Sequence, residues 1–179
     1  LAATACWGTQ QLHLFPDPRH DGVFAMWYGK GPGVDRCADV FKHAVHAGTA
    51  RHGGVLVVAG DDHGAKSSAV AHQSEHQFSA AGIPVLAPSN VGEYLDFGLH
   101  GWAMSRFSGC AIGFKALADT VESSASIEAD PFRVQTLVPA DFTMPEGGLN
   151  FRLSSDLLGL QARKQEALMQ DYKIYAAMA

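Results

Sequence analysis

The order of apolar runs in this chain points to a parallel, doubly wound α/β sheet. Three observations carry that expectation. Segments of strand length and segments of helical periodicity alternate as α-β-α-β-α-β-α-β over residues 1–117. The run "VLVVAG" has no polar alternation, as expected of a strand buried on both faces of a parallel sheet. The connections are short and rich in glycine and proline, which suits right-handed crossovers more than long structureless loops.

Each element has its own signal. Residues 1–12, "LAATACWGTQQL", read as a helix or its tail, and "FPDPRHDG" as a loop marked by two prolines and a glycine. "VFAMWYG" is an apolar run of strand length, broken by "GKGPG". A helix is expected over residues 35–46. Val34, Cys37, Phe41, Ala44 and Val45 fall at helical spacing, Asp35, Arg36, Asp39, Lys42 and His46 lie mostly opposite, and Gly48 sits where the helix stops. After "VLVVAG" comes the loop "DDHGAKSS" and a helix over residues 68–81. "GIPVLAPS" is a short strand. "NVGE" has the form of a capping box, with Asn90 as N-cap and Glu93 three residues on. "CAIGFKAL" is the fourth strand, and Trp7, Trp27 and Trp102 read as core. Beyond residue 118 the signal weakens: "TVESSASIEADPF" reads as extended and peripheral, "RVQTLVP" as an extra strand, and residues 157–179 as a C-terminal helical extension. The expected division is an α/β domain over 1–118 and a peripheral segment with its helix over 119–179.

Composition narrows the function classes. The chain has 179 residues, 47% apolar and 17% charged, which is a globular balance with enough length for a real core. Net charge is -5, with no basic stripe, so nucleic acid is not an expected partner. No apolar run approaches the roughly 20 residues of a membrane span. Cys6, Cys37 and Cys110 are scattered, with no CxxC, which argues for reduced thiols in a cytoplasmic setting and against an iron–sulfur or zinc–thiolate site.

In a doubly wound sheet, ligands sit at the carboxyl ends of the strands. Three connections share that edge: "GKGPGVD", "GDDHGAKSS" and "APSN". "GKGPG" is neither a Walker loop nor GxGxxG. Its glycines let backbone approach a ligand closely, or simply turn the chain. "DDHGAKSS" lacks the G-x-S-x-G elbow of a serine hydrolase. Asp61 or Asp62 can cap the turn through backbone N–H groups, and Ser67 or Ser68 can cap the next helix. "HQSEH" matches H-x-x-E-H: on one helix, His72 and His76 would point the same way and could hold zinc, with Glu75 as base and His63 or Glu122 as third ligand. In a chain with nine histidines a solvated or interface pair is the preferred reading, and no metal ligand is assigned. His13, His20, His43, His46, His52 and His100 form no second cluster.

Longer stretches carry a family likeness. "MWYGKGPGVDRCADVFKHAVHAGT", "GGVLVVAGDDHGAKSSAVAHQSEHQF", "GIPVLAPSNVGEYLDFGLHGWAMSRFSG" and "VESSAS" together resemble the indolepyruvate ferredoxin oxidoreductase family, in its long fused bacterial form. The resemblance implies oxidative decarboxylation of aryl 2-oxo acids to acyl-CoA. Electrons would pass through iron–sulfur clusters to ferredoxin, with thiamine diphosphate and Mg²⁺ as further cofactors. It implies that this segment is the pyrimidine-binding domain, that "LAATACWG" continues a helix whose activating glutamate precedes Leu1, and that the chain is a piece of a longer polypeptide. The diphosphate and Mg²⁺ site, the clusters and the CoA site belong elsewhere in that parent, so the chain alone is expected to be inactive. Gly31, Pro32 and Gly33 then resemble the glycine-proline-glycine loop near the aminopyrimidine. From loop position, Asp62 is expected beside the cofactor, and His63 and Lys66 near the substrate carboxylate. The other domains, and a second copy in a homo-oligomer, are the expected partners. Two other classes stay open: a zinc hydrolase using His72, Glu75 and His76, and a non-catalytic assembly domain.

Overall fold

The computed structural model describes residues 1–130, 132–146, 148–150, 168 and 171–179. Its elements follow the expected alternation: α1 (Ala2–Thr9), β1 (Phe24–Lys30), α2 (Gly31–Ala47), β2 (Gly54–Asp61), α3 (Glu75–Ala81), β3 (Val85–Leu86), α4 (Val91–Ser108), β4 (Ile112–Leu117) and a last turn, α5 (Ala118–Val121). The strands form one open sheet of order β1-β2-β4-β3, and each neighbouring pair is parallel.

Side-chain alternation assigns the layers. Trp27, Val57 and Gly113 share a row and face one side; the Trp27 ring meets Phe41 of α2 edge-on, and Gly113 lies under Phe78 of α3. Met26, Leu56 and Ile112 face the other side, where Gly101 of α4 packs on Leu56 and Ile112. Helices therefore cover both faces, as in a doubly wound fold. α4 approaches closely because its buried positions are small: Gly101, Ser105 and Ser108.

β2 is the central strand and is almost wholly buried, as its unbroken apolar run implies. β1 is not. It lies at the sheet edge, where α4 covers it incompletely: Trp102 and Arg106 lie against Phe24, yet Phe24, Met26 and Tyr28 stay exposed on that face. α2 begins earlier than its periodicity suggested. No loop separates it from β1, and Gly31, Pro32 and Gly33 form its first turn, a position where proline's missing N–H costs nothing. Val34, Phe41 and Val45 are its buried row, and Gly48 ends it at φ 83°, a conformation that suits glycine. Asn90 caps α4 by accepting from the Glu93 N–H, but the Glu93 carboxylate returns to Ser89, one residue further out than in the reciprocal box.

Three expectations are corrected. α3 starts at Glu75, not near Ser68. "RVQTLVP" forms no strand, and Leu137 and Val138 are exposed. Of the two sheet edges, β3 is confined to two residues between Pro84 and Pro88 and offers almost no ladder to extend. Of the three tryptophans only Trp27 is fully buried; Trp7 stacks on His43, and Trp102 tilts against Phe24. Residues 122–130 are exposed and irregular, as expected of a peripheral segment. The C-terminal helix is described over 171–178; most of the expected helix from 157 to 170 lies outside the described residues.

The described end of that helix is fastened by a buried lysine. Lys173, 2% exposed, donates to the carbonyls of Val45 (3.1 Å) and His46 (3.3 Å), closing the C-terminal end of α2. Burial pulls its ammonium from 10.5 down to about 8, against the influence of Cys110. Burial likewise pushes the Cys110 thiol from 9.0 up to about 11, against Lys173. The sign follows from linkage. Between the folded and unfolded lysine values the unfolded chain binds more protons, so stability rises as pH climbs through 8. Above 9 the unfolded thiol ionises first, and that opposes the rise. Urea unfolding should show a gain of about 1 kcal/mol across this interval. Lys173→Met should abolish the gain; a flat profile in the unsubstituted chain would contradict the lysine's burial.

Candidate functional site

The carboxyl ends of β1, β2 and β4 are adjacent, and they bring Lys30, Asp61 and Leu117 to one edge with the starts of α2 and α5 beside them. At the centre is Asp61, whose side chain is fully buried. Its two oxygens accept from the Ser74 N–H (2.9 Å) and the Ser74 hydroxyl (2.6 Å). The ammonium of Lys115, 9% exposed, lies 4.0 Å from Asp61 and donates to Glu75. Burial pushes the Glu75 carboxyl up. The Lys115 hydrogen bond, the residue's own backbone N–H and the nearby Lys115 and His63 charges outweigh this, and the net direction is down. The other Glu75 oxygen, Oε2, is buried without a hydrogen-bond partner among the described residues. This mixed-charge cluster stands beneath the loop of residues 62–73.

The loop is organised by Asp62. Its carboxylate accepts from the N–H of Lys66 (2.9 Å), the N–H of Ser67 (2.7 Å) and the Ser67 hydroxyl (3.3 Å). The Ser67 N–H first, then that of Lys66, hold its pKa below the usual carboxylate range. The turn forces Ala65 to φ 52°, unusual for a residue with a Cβ. Lys66 itself is paired with Asp119 of α5, which raises its pKa. From the other side, the Lys30 ammonium donates to the Ser67 carbonyl at 2.6 Å.

The nominated residues are therefore distributed as follows. Gly31, Pro32 and Gly33 form the start of α2, which has no side-chain N-cap. Gly31 is covered: a Cβ there would meet the His72 ring at 2.2–2.3 Å. Gly33 is freer, with Trp27 at an ordinary 3.5 Å. Asp62 does cap the turn, and both of its oxygens are engaged in doing so. His63 is exposed and shares the cluster with Asp61 and Glu75; Lys66 points away to α5. Neither Ser67 nor Ser68 caps α3; Ser74 stands at its N-cap position, with its hydroxyl turned to Asp61. "APSN" precedes α4 beside β3, at the opposite edge of the sheet from β1.

The zinc geometry expected of "HQSEH" does not form. His72 precedes α3 and turns to Asp35 (Nε2 to Oδ2, 3.4 Å), while Glu75 is held by Lys115. His72 and His76 thus do not lie on one helix face. Asp61, His63 and Glu75 offer ligand atoms within 4.8 Å of one another. A metal there would compete with the Lys115 ammonium, and with Ser74, for the same carboxylate oxygens.

Sequence reasoning missed Lys115, Ser74, Lys30 and Asp119. The signal for Lys115 was present: a lysine inside the apolar run of a strand that must be buried needs a buried anion, and β2 ends in two aspartates.

Comparison with protein families, curated proteins and solved structures returns no match to this chain. The class that can be stated is an α/β chain with a four-stranded parallel sheet and a polar cluster at its carboxyl edge. None of the helices among the described residues is long and apolar enough to cross a membrane.

Proposed function

We propose that this chain is the pyrimidine-binding segment of a thiamine-diphosphate-dependent 2-oxoacid:ferredoxin oxidoreductase of the indolepyruvate type. The observation that carries the reading is the meeting of the "GKGPG" and "DDHGAKSS" segments at one sheet edge, joined by the Lys30–Ser67 hydrogen bond. Those two segments lie in the stretches that carry the family resemblance. α2's first turn has no side-chain cap, so its backbone N–H groups at Gly31 and Gly33 suit a ring nitrogen or an anionic group, and Gly33 leaves room for it. When bound, the cofactor supplies the carbanion chemistry of decarboxylation. This chain's own residues would hold the aminopyrimidine at Gly31–Gly33 and set the substrate carboxylate near His63, and near Lys66 once it leaves Asp119. Asp62 acts in this reading by shaping the loop. Mg²⁺, the iron–sulfur clusters, CoA and ferredoxin would be bound by other parts of the enzyme.

The test uses the enzyme that contains this segment with all its domains. It should reduce ferredoxin in the presence of indolepyruvate and CoA. His63→Ala and Lys66→Ala should each raise KM for the 2-oxo acid about tenfold or more, the loss of one charge-assisted hydrogen bond. No 2-oxo-acid-dependent reduction by the unsubstituted enzyme would sink the proposal.

The assembly-domain reading has one observation in its favour. Phe24, Met26 and Tyr28 of β1 and Leu95 and Leu99 of α4 are exposed together. If Met26→Glu changes the oligomeric state while His63→Ala leaves turnover intact, assembly becomes the better reading.

A further inference from the structure

We infer that residues 62–73 form a lid, and that the structure shows it closed on the protein itself, with His72 covering the Gly31 face of the cleft. The base of the lid is a buried clasp. Asp61 and Ser74 flank it, the Asp61 carboxylate accepting from the Ser74 hydroxyl (2.6 Å) and N–H (2.9 Å), and the His72 N–H donates to the Asp62 carbonyl at 3.3 Å. A loop whose ends meet in this way is a compact unit that can swing without unravelling its neighbours.

Above the clasp, the fastenings differ in kind. The His72 ring lies on the first turn of α2, so close that Gly31 has no room for a Cβ. The ring is kept there by Asp35 and by the Val70 carbonyl, 3.2 Å from its Nδ1. On the outside, Lys30 holds Ser67 and Lys66 pairs with Asp119, both through solvent-exposed groups. Such contacts are weak and screened by salt. Val70 itself is exposed, at 62%. The lid is thus rigid at its base and lightly held at its rim.

The consequence for binding is direct. Gly31 is small because His72 needs the space, so a ligand that approaches Gly31 must first displace His72. This deepens the function proposed above and rests on it for the ligand's identity, but not for the motion.

The experiment is residue-resolved labelling of histidines in this chain by diethyl pyrocarbonate, read by mass spectrometry. His63 and His76, both exposed, serve as internal references. In the unsubstituted chain His72, whose side chain is 17% exposed, should label slowly. Gly31→Ala should expel the ring and Lys30→Met should release the rim, each speeding His72 about tenfold toward the reference rates. About 1 M salt should do the same. His72 labelling that is unchanged in both variants, or already equal to the references in the unsubstituted chain, overturns the lid. A second readout, in the enzyme that contains this segment with all its domains, separates the two proposals: thiamine diphosphate should bind the His72→Ala variant about tenfold more tightly than the unsubstituted enzyme. Fast labelling without cofactor binding would keep the lid and reject the cofactor; slow labelling in the variants would reject the lid whatever the cofactor does.

Discussion

Asp61→Ala will destabilise this protein by about 3–5 kcal/mol, the range for removing one partner from a buried ionic cluster. The Asp61 side chain has no solvent access and serves three groups at once: the Ser74 N–H, the Ser74 hydroxyl and the Lys115 ammonium. Its loss leaves two buried donors without an acceptor, and a 9%-exposed lysine relying on Glu75 alone. Asp61→Asn should cost less, because the amide can still accept from Ser74 while the charge is lost. Urea unfolding checks both. The double substitution with Lys115→Met should then be less destabilising than the sum of the singles, since the lysine no longer needs a counter-charge. If Asp61→Ala costs under about 1 kcal/mol, water reaches the cluster and the buried clasp does not exist. The labelling of His72 should rise in the same variant, because the lid loses its base.

What the sequence made legible, and what it did not, divides by the range of the interaction. β2 was readable because burial on both faces leaves a continuous apolar run. α2 was readable because its buried row, Val34, Phe41 and Val45, recurs at helical spacing. The Asn90 cap and the Gly48 stop are local chemistry and fell where expected. The start of α3 was not readable. Ser67 and Ser68 are as good N-caps by type as Ser74, and the choice is made by Asp61, 13 residues earlier in the chain. That bond keeps residues 68–73 out of the helix and thereby removes the helical H-x-x-E-H geometry. Lys115 escaped notice for the same reason, since its partner Glu75 is 40 residues away. The candidate site was legible as an edge, through the rule that ligands gather at the carboxyl ends of parallel strands. It was not legible as a set of contacts.

The opposite end of the sheet sets that edge in place, and Gln10 is the residue to test there. Its side chain is 1% exposed yet makes four hydrogen bonds. The carbonyl accepts from the N–H groups of Ala50 (3.1 Å) and Gly54 (3.0 Å), and the amide donates to the Val23 carbonyl (3.0 Å) and Thr9 (3.0 Å). One side chain thus joins the end of α1 to the entries of β1 and β2, where the pairing begins at Phe24 with Gly54. A parallel pair has no hairpin to fix its register, so this junction does that work. Gln10→Ala leaves two buried N–H groups and a carbonyl without this partner, and should cost about 3 kcal/mol or more, at roughly 1–3 per group. Gln10→Glu distinguishes hydrogen bonding from packing. It keeps the volume and the acceptor but loses the donor to Val23 and buries a charge, so it should be at least as damaging as alanine. Nearly unaltered stability in Gln10→Glu would mean that shape, not polarity, fills this position. Gln10→Ala should also speed His72 labelling at the far end, because Lys30 and Asp61 are aligned only as long as the strands that carry them are.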